Sequence, residues 1–171
     1  MGGLDGRGAV TVVGASVAGL AAARTLRAGG FGGTLTVVDA QPHRPYDRPP
    51  LTKQVLRGEW DAARIALPDG APGGDLDLDL RLGARAVSLD VADRAVVLAD
   101  GTRLAGDGVV LACGAAPRRL PGSGDVAGVH VLRGLDDATA VRGALLAGVD
   151  RVVVVGAGFI GGEVAASCRS L

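Results

Sequence analysis

Aromatic residues are nearly absent from this chain: two Phe, one Tyr and one Trp, 2% of 171 residues. Yet 48% of the chain is hydrophobic and 29 residues are glycine, so a core must be built from Gly, Ala, Val and Leu, the composition of tightly packed α/β layers rather than of a disordered chain. Net charge is missing as well. Eighteen basic residues balance eighteen acidic ones, so no overall field draws the protein to nucleic acid or to an anionic membrane, and neither partner is expected. Cysteine is scarce: Cys113 and Cys168 form no CxxC pair and no ligand spacing with His43 or His130. No metal site is expected, and two buried thiols in a reducing cytoplasm are the simplest expectation. No apolar run approaches the ~18 residues of a membrane span. The N-terminal MGGLDGRG reads as a flexible polar-glycine leader without the pattern of a secretory signal. The expectation is a soluble, cytoplasmic protein.

What is present is ordered along the chain. Residues 9–13 (AVTVV) read as a buried parallel strand, 17–28 (VAGLAAARTLRA) as a helix stopped by Gly29 and Gly30, and 34–38 (TLTVV) as a second strand closed by Asp39. This is a β-α-β unit with glycine-rich chemistry at its first turn. Residues 41–53 carry Pro42, Pro45, Pro49 and Pro50, which forbid a central strand and impose a turn-rich path; a short helical piece follows at 52–58. Residues 67–75 read as a Pro/Gly loop. From Arg81 the periodicity changes: ARAVSLD, AVVLAD and TRLAG, separated by turn signals at Asp93-Arg94 and Asp100-Gly101, predict an antiparallel three-stranded meander. GVVLA at 108–112 returns to a buried strand. A helix is predicted over 135–147 with Asp136 and Asp137 in its first turn, and 151–155 (RVVVV) as a parallel strand opening a second glycine-rich turn into a helix.

The first fingerprint is Gly14-Ala15-Ser16-Val17-Ala18-Gly19. Its first glycine permits a tight strand-to-helix turn, its second position lets backbone N–H groups approach a pyrophosphate, and its last lets the helix pack against the strand. Ser16 replaces the middle glycine; it is small, and its hydroxyl can donate to phosphate. Asp39 ends the second strand, where an acid accepts hydrogen bonds from ribose hydroxyls. The second fingerprint, Gly156-Ala157-Gly158-Phe159-Ile160-Gly161, is a full match, followed by Glu163. Taken alone, either glycine turn could be no more than close strand–helix packing. The recurrence of the unit far along the chain points to duplication of a nucleotide-binding fold.

In order, VVGASVAGLAAARTLR, PYDRPPLTKQVLRGE, LACGAAPRRLPG, HVLRGLDDA and VVVVGAGFIGGEVAA resemble the FAD-dependent ferredoxin/rubredoxin/putidaredoxin reductases of the pyridine-nucleotide oxidoreductase superfamily, across essentially the whole chain. The resemblance implies an α/β fold: a Rossmann-like FAD-binding half-domain, with a parallel sheet flanked by helices and an antiparallel three-stranded β-meander, over 1–150, then the first β-α unit of a second Rossmann-like NAD(P) domain over 151–171. It implies FAD and NAD(P)H as cofactors and a small iron–sulfur protein of ferredoxin or rubredoxin type as electron acceptor. Gly14, Ala15, Ser16, Val17, Ala18 and Gly19 would hold the FAD pyrophosphate and Asp39 the adenosine ribose, one methylene shorter than the Glu common in the family. Ala86 would meet the adenine through its backbone. Arg48 would lie along the ribose and phosphate, and Lys53, the catalytic candidate, beside the flavin near its reactive nitrogen, where a cation favours the charge that hydride brings. Arg133 would reach FAD late in the domain. Gly156, Gly158 and Gly161 would cradle the NAD(P)H pyrophosphate, with Glu163 near the nicotinamide. Arg48 and Lys53 also fit as solvated charges on a Pro-rich loop, Arg133 as a helix-flanking charge and Glu163 as an ordinary helix-face acid.

Two departures qualify the resemblance. Cys113 stands where the family usually has Thr. The family's chains are more than twice as long, with a Gly-Asp flavin motif that Gly124-Asp125 does not reproduce, so the sequence is expected to be an N-terminal portion. A truncated, non-catalytic nucleotide-binding remnant is the competing reading. A disulfide reductase of the same superfamily is disfavoured, because no cysteine pair follows the second strand.

Overall fold

The computed structural model describes residues 8–68, 74–124 and 126–171. The leader, the centre of the 67–75 loop and Asp125 lie outside the described residues. The described chain forms two compact units, one of residues 8–46 and 66–114, the other of 47–65 and 115–171.

The first unit is built on four parallel strands: β1 (Ala9–Val13), β2 (Thr34–Val38), β3 (Asp79–Arg81) and β7 (Gly108–Leu111), in the order β3-β2-β1-β7. Helix α1 (Val17–Ala28) joins β1 to β2. The apolar runs of β1 and β2 are continuous because both of their faces are covered. On one face Val10, Val12, Leu35 and Val37 pack with Ala15, Ala23 and Phe31. On the other, Val13 and Val38 pack with Val96 and Leu98 of a separate antiparallel sheet. That sheet is the predicted meander: β4 (Ala86–Asp90), β5 (Ala95–Leu98) and β6 (Arg103–Ala105), in sequential order. The unit is therefore three layers deep, with the parallel sheet in the middle.

Bounds of β1, α1 and β2 coincide with those read from the sequence. Several expectations need correction. β3 was not foreseen: Asp79–Arg81 lacks an apolar pattern and becomes a strand by completing the free edge of β2, with the Thr36 hydroxyl donating to Asp79 Oδ2 at 3.1 Å. β7 is only half-buried and Leu111 is 66% exposed, because the strand stands at the sheet edge with β1 as its partner. Cys113 is exposed rather than buried; Cys168 is half-buried, which pushes its thiol pKa up, and both are free.

The second unit holds a 3-10 turn (Pro49–Thr52), the short helix α2 (Gln54–Arg57), α3 (Leu135–Leu146) and α4 (Phe159–Cys168). Its buried apolar residues include Leu51, Val55, Leu56, Ile65 and Ala138. The Asp137 carboxylate caps α3 by accepting from the N–H groups of Gly134 (2.7 Å) and Arg133 (2.9 Å). The strand predicted over 151–155 does not form. Val153 is 76% and Val155 72% exposed. A strand exists only by pairing, and no described backbone pairs with this run. Among the described residues no helix is long and apolar enough to cross a membrane.

One side chain locks the lower edge of the first unit. The Arg27 guanidinium donates to the carbonyls of Phe31, Gly33 and Leu76 at 2.8 Å and of Asp77 at 2.9 Å, tying the end of α1 to the approach to β3. Arg27→Met leaves these carbonyls without that donor and is expected to lower stability by about 2 kcal/mol in urea unfolding. A loss under about 0.5 kcal/mol, the level of an ordinary surface substitution, would refute the staple.

Candidate functional site

Both glycine fingerprints fold into the same turn. Gly14 has φ +111° and Gly156 φ +110°, a region that L side chains rarely adopt. A Cβ on Gly19 would strike the Gly14 carbonyl oxygen, and one on Gly161 would strike the Gly156 carbonyl oxygen. In both, backbone rests on backbone. Helix α1 starts from Ser16, with its first bond from Leu20 N–H to Ser16 O at 2.9 Å; α4 starts from Gly158, with Gly162 N–H to Gly158 O at 3.0 Å. The N–H groups of Val17, Ala18 and Gly19, and of Phe159, Ile160 and Gly161, therefore precede their helical ladders. Neither first turn carries an acid. A ring of forward N–H groups at the positive end of a helix suits a diphosphate. These two turns suit the dinucleotides expected from the sequence.

Within the first unit Asp39 is tied to its fingerprint. One carboxylate oxygen accepts from Ala15 N–H at 2.7 Å and the other from Gln41 N–H at 2.8 Å. An ionised carboxylate offers about four lone-pair sites, so acceptor capacity remains for a hydroxyl. Ala86 opens β4 opposite Leu98, where the register shifts before Ser88.

The second unit gathers four other predicted residues into two pairs. Arg48 Nη1 donates to the Arg133 carbonyl at 3.1 Å, and Arg133 Nε to the Ala115 carbonyl at 2.8 Å. Lys53, between the 3-10 turn and α2, meets Glu163 on α4: Nζ lies 2.8 Å from Oε2, with both side chains about a third exposed. The same oxygen accepts from the Thr52 hydroxyl. The Lys53 hydrogen bond, then that of Thr52, holds the Glu163 carboxyl below the usual glutamate range. Thr52 and Ser167 were not singled out from the sequence. Ser167, 1% exposed, donates from its hydroxyl to the Thr52 carbonyl at 2.7 Å. The available signal was spacing: Ser167 falls four residues after Glu163, on the same helix face.

Residues 8–171 match the pyridine nucleotide-disulphide oxidoreductase family. The chain belongs to that family. It is 42% identical over 163 residues to the biphenyl dioxygenase system ferredoxin–NAD(+) reductase component of Paraburkholderia xenovorans, covering 95% of this chain and 40% of the relative. With rhodocoxin reductase of Rhodococcus erythropolis it shares 39% identity over 161 residues, 94% of this chain and 38% of the relative. Among solved structures, the ferredoxin reductase for the CYP199A2 system from Rhodopseudomonas palustris superposes with a TM-score of 0.85 at 34% identity, over 95% of this chain and 40% of that one. The putidaredoxin reductase of a covalent complex with putidaredoxin gives 0.83 at 35%, over 95% and 40%. The chain thus spans about 40% of the length of these relatives. The disulphide of the family's name has no cysteine pair here, since Cys113 and Cys168 are free.

The lowered Glu163 pKa fixes the sign of a pH effect. Stability from the Lys53–Glu163 contact is present in full above the pKa of an unfolded glutamate and disappears as pH falls through the lower folded value. In acid unfolding, Glu163→Gln is expected to be less stable than the parent at neutral pH and to converge with it below that window. Parallel curves at all pH values would show that the carboxylate contributes nothing through its charge.

Proposed function

We propose that the chain is the front portion of a FAD-dependent NAD(P)H oxidoreductase of the ferredoxin-reductase type. It comprises the FAD-binding half-domain (1–150) and the start of an NAD(P)H-binding domain (151–171). The observation that carries this reading is that both glycine fingerprints take up the same strand-to-helix turn geometry, one in each unit. The names of the relatives that are ferredoxin–NAD(+) reductase components of dioxygenase systems support an iron–sulfur protein as acceptor. Two free cysteines fit a reducing, cytoplasmic setting.

When bound, FAD supplies acceptance of a hydride from NAD(P)H and release of single electrons to the iron–sulfur partner. The protein's part is binding and electrostatics. Forward N–H groups of 17–19 hold one pyrophosphate and those of 159–161 the other. Asp39 accepts from the ribose while keeping Ala15 in place. Arg48 and Arg133 bring cationic groups to the dinucleotide, and Ala86 offers backbone to the adenine. Lys53 places a fixed cation where negative charge develops, and Glu163 holds that cation in place.

The flavin reading requires FAD binding, which a non-catalytic remnant does not. Titration of the chain with FAD is expected to quench flavin fluorescence to a one-to-one end point. Asp39→Ala should weaken binding about 10-fold, as expected for loss of a charge-assisted hydrogen bond. Gly19→Val should abolish it. A folded chain that leaves flavin fluorescence unchanged would sink the proposal.

A further inference from the structure

An ion pair whose side chains are about a third exposed does not by itself define a position. Lys and Glu both have long, flexible stems, and such pairs contribute about 0–1 kcal/mol. If Lys53 is to present its charge at one place, something more rigid must hold Glu163. The second unit contains such an element. Thr52 closes a 3-10 turn that begins with Pro49 and Pro50, is 5% exposed, and has a β-branched side chain with restricted χ1. It meets α4 at two points. Its hydroxyl reaches Glu163 Oε2, and its carbonyl accepts from the Ser167 hydroxyl. Glu163 and Ser167 are four residues apart, one above the other on the helix.

The direction of the first bond follows from proton count. An ionised carboxylate only accepts, so the single hydroxyl proton of Thr52 goes to Glu163. The Pro49 carbonyl, 3.3 Å from the same hydroxyl, is left with the poorer contact. Glu163 Oε2 then sits between two donors, one rigid and one flexible, and the flexible Lys53 takes its position from the other two groups.

We propose that Thr52 is a positioning residue, clipped to α4 through Glu163 and Ser167, and that this clip sets where the Lys53 ammonium stands. The role of Lys53 rests on the reading above as a flavin enzyme; the clip itself does not. Its measurement can therefore be made without cofactor. In chain labelled with ¹³C at Glu and Lys side chains, the Glu163 carboxyl and the Lys53 Cε signals are followed through an acid titration, with Glu163→Gln and Lys53→Met for assignment. In the parent, the Lys53 signal should track the Glu163 titration. Thr52→Val, of nearly the same shape, should shift the Glu163 midpoint upward and weaken that tracking. Thr52→Ser should restore both, and Ser167→Ala should move them in the same direction as Thr52→Val. Should Thr52→Val fail to fold, Ser167→Ala and Thr52→Ser decide the matter. A parent-like titration in Thr52→Val, or in Ser167→Ala where Thr52→Val does not fold, overturns the proposal. So does a Thr52→Ser chain lacking the parent's tracking, since a methyl contact would then be responsible. Failure of FAD binding would remove the flavin reading and leave these signals unchanged.

Discussion

Helix α1 rests directly on the turn that precedes it, at Gly19 above the Gly14 carbonyl, and much of the first unit follows from that contact. With no side chain at either point, the helix start comes within backbone distance of β1, and Val12 and Ala23 can both be fully buried. Asp39 extends the constraint sideways. Its carboxylate joins the end of β2 to Ala15 N–H, just beyond the point where Val13 pairs with Val38. Turn, sheet register and acid are therefore one mechanical unit, and a shift in any of them moves the forward N–H groups. This is the preorganisation that a diphosphate site needs, since donors already fixed by the fold lose little freedom when an anion arrives.

The same turn forms at Gly156–Gly161 although, among the described residues, no strand pairs with the run before it, which separates local from long-range causes. The positive φ of Gly156 and the approach of Gly161 depend on a few neighbouring residues. They appear although Val152–Val155 remain unpaired and exposed. Turn chemistry was legible in the sequence for this reason, and so were the bounds of β1, α1 and β2, where apolar period and glycine stops agree. Strand identity was less legible. Asp79–Arg81 has no strand pattern and becomes a strand because β2 offers an edge, while 151–155 has a strong pattern and meets no edge among the described residues. Pairing is a property of two segments, and a single segment cannot display it.

The site divides along the same line. Glycines and Asp39 could be found from spacing, because their roles belong to one turn and one β-α-β unit. Lys53 and Glu163, 110 residues apart, came from resemblance, and only the fold showed that they touch. Thr52 and Ser167 carried no chemical signal of their own. Hydroxyls are common, and these two gain meaning from burial beside a shared ion pair. A chain with zero formal net charge can therefore still hold a specific field at one point, because the field comes from where individual charges are held.

Ser16 is the one position where the first fingerprint departs from the glycine pattern, and the geometry shows how little that departure disturbs. Gly14 is required by its positive φ, and Gly19 by the carbonyl beneath it. Ser16 has φ −108° and ψ −167°, extended backbone open to any residue; Gly158, its counterpart, has φ −79° and ψ 179°. The middle glycine is thus not a conformational requirement in either turn. It concerns only the room left for a ligand, and serine, an ordinary helix N-cap residue, takes up little of it. Three glycines that look equivalent in the pattern thus answer to different demands: dihedral angle, ligand clearance and helix contact. Only ligand clearance can be relaxed, by one small polar side chain, without moving the helix.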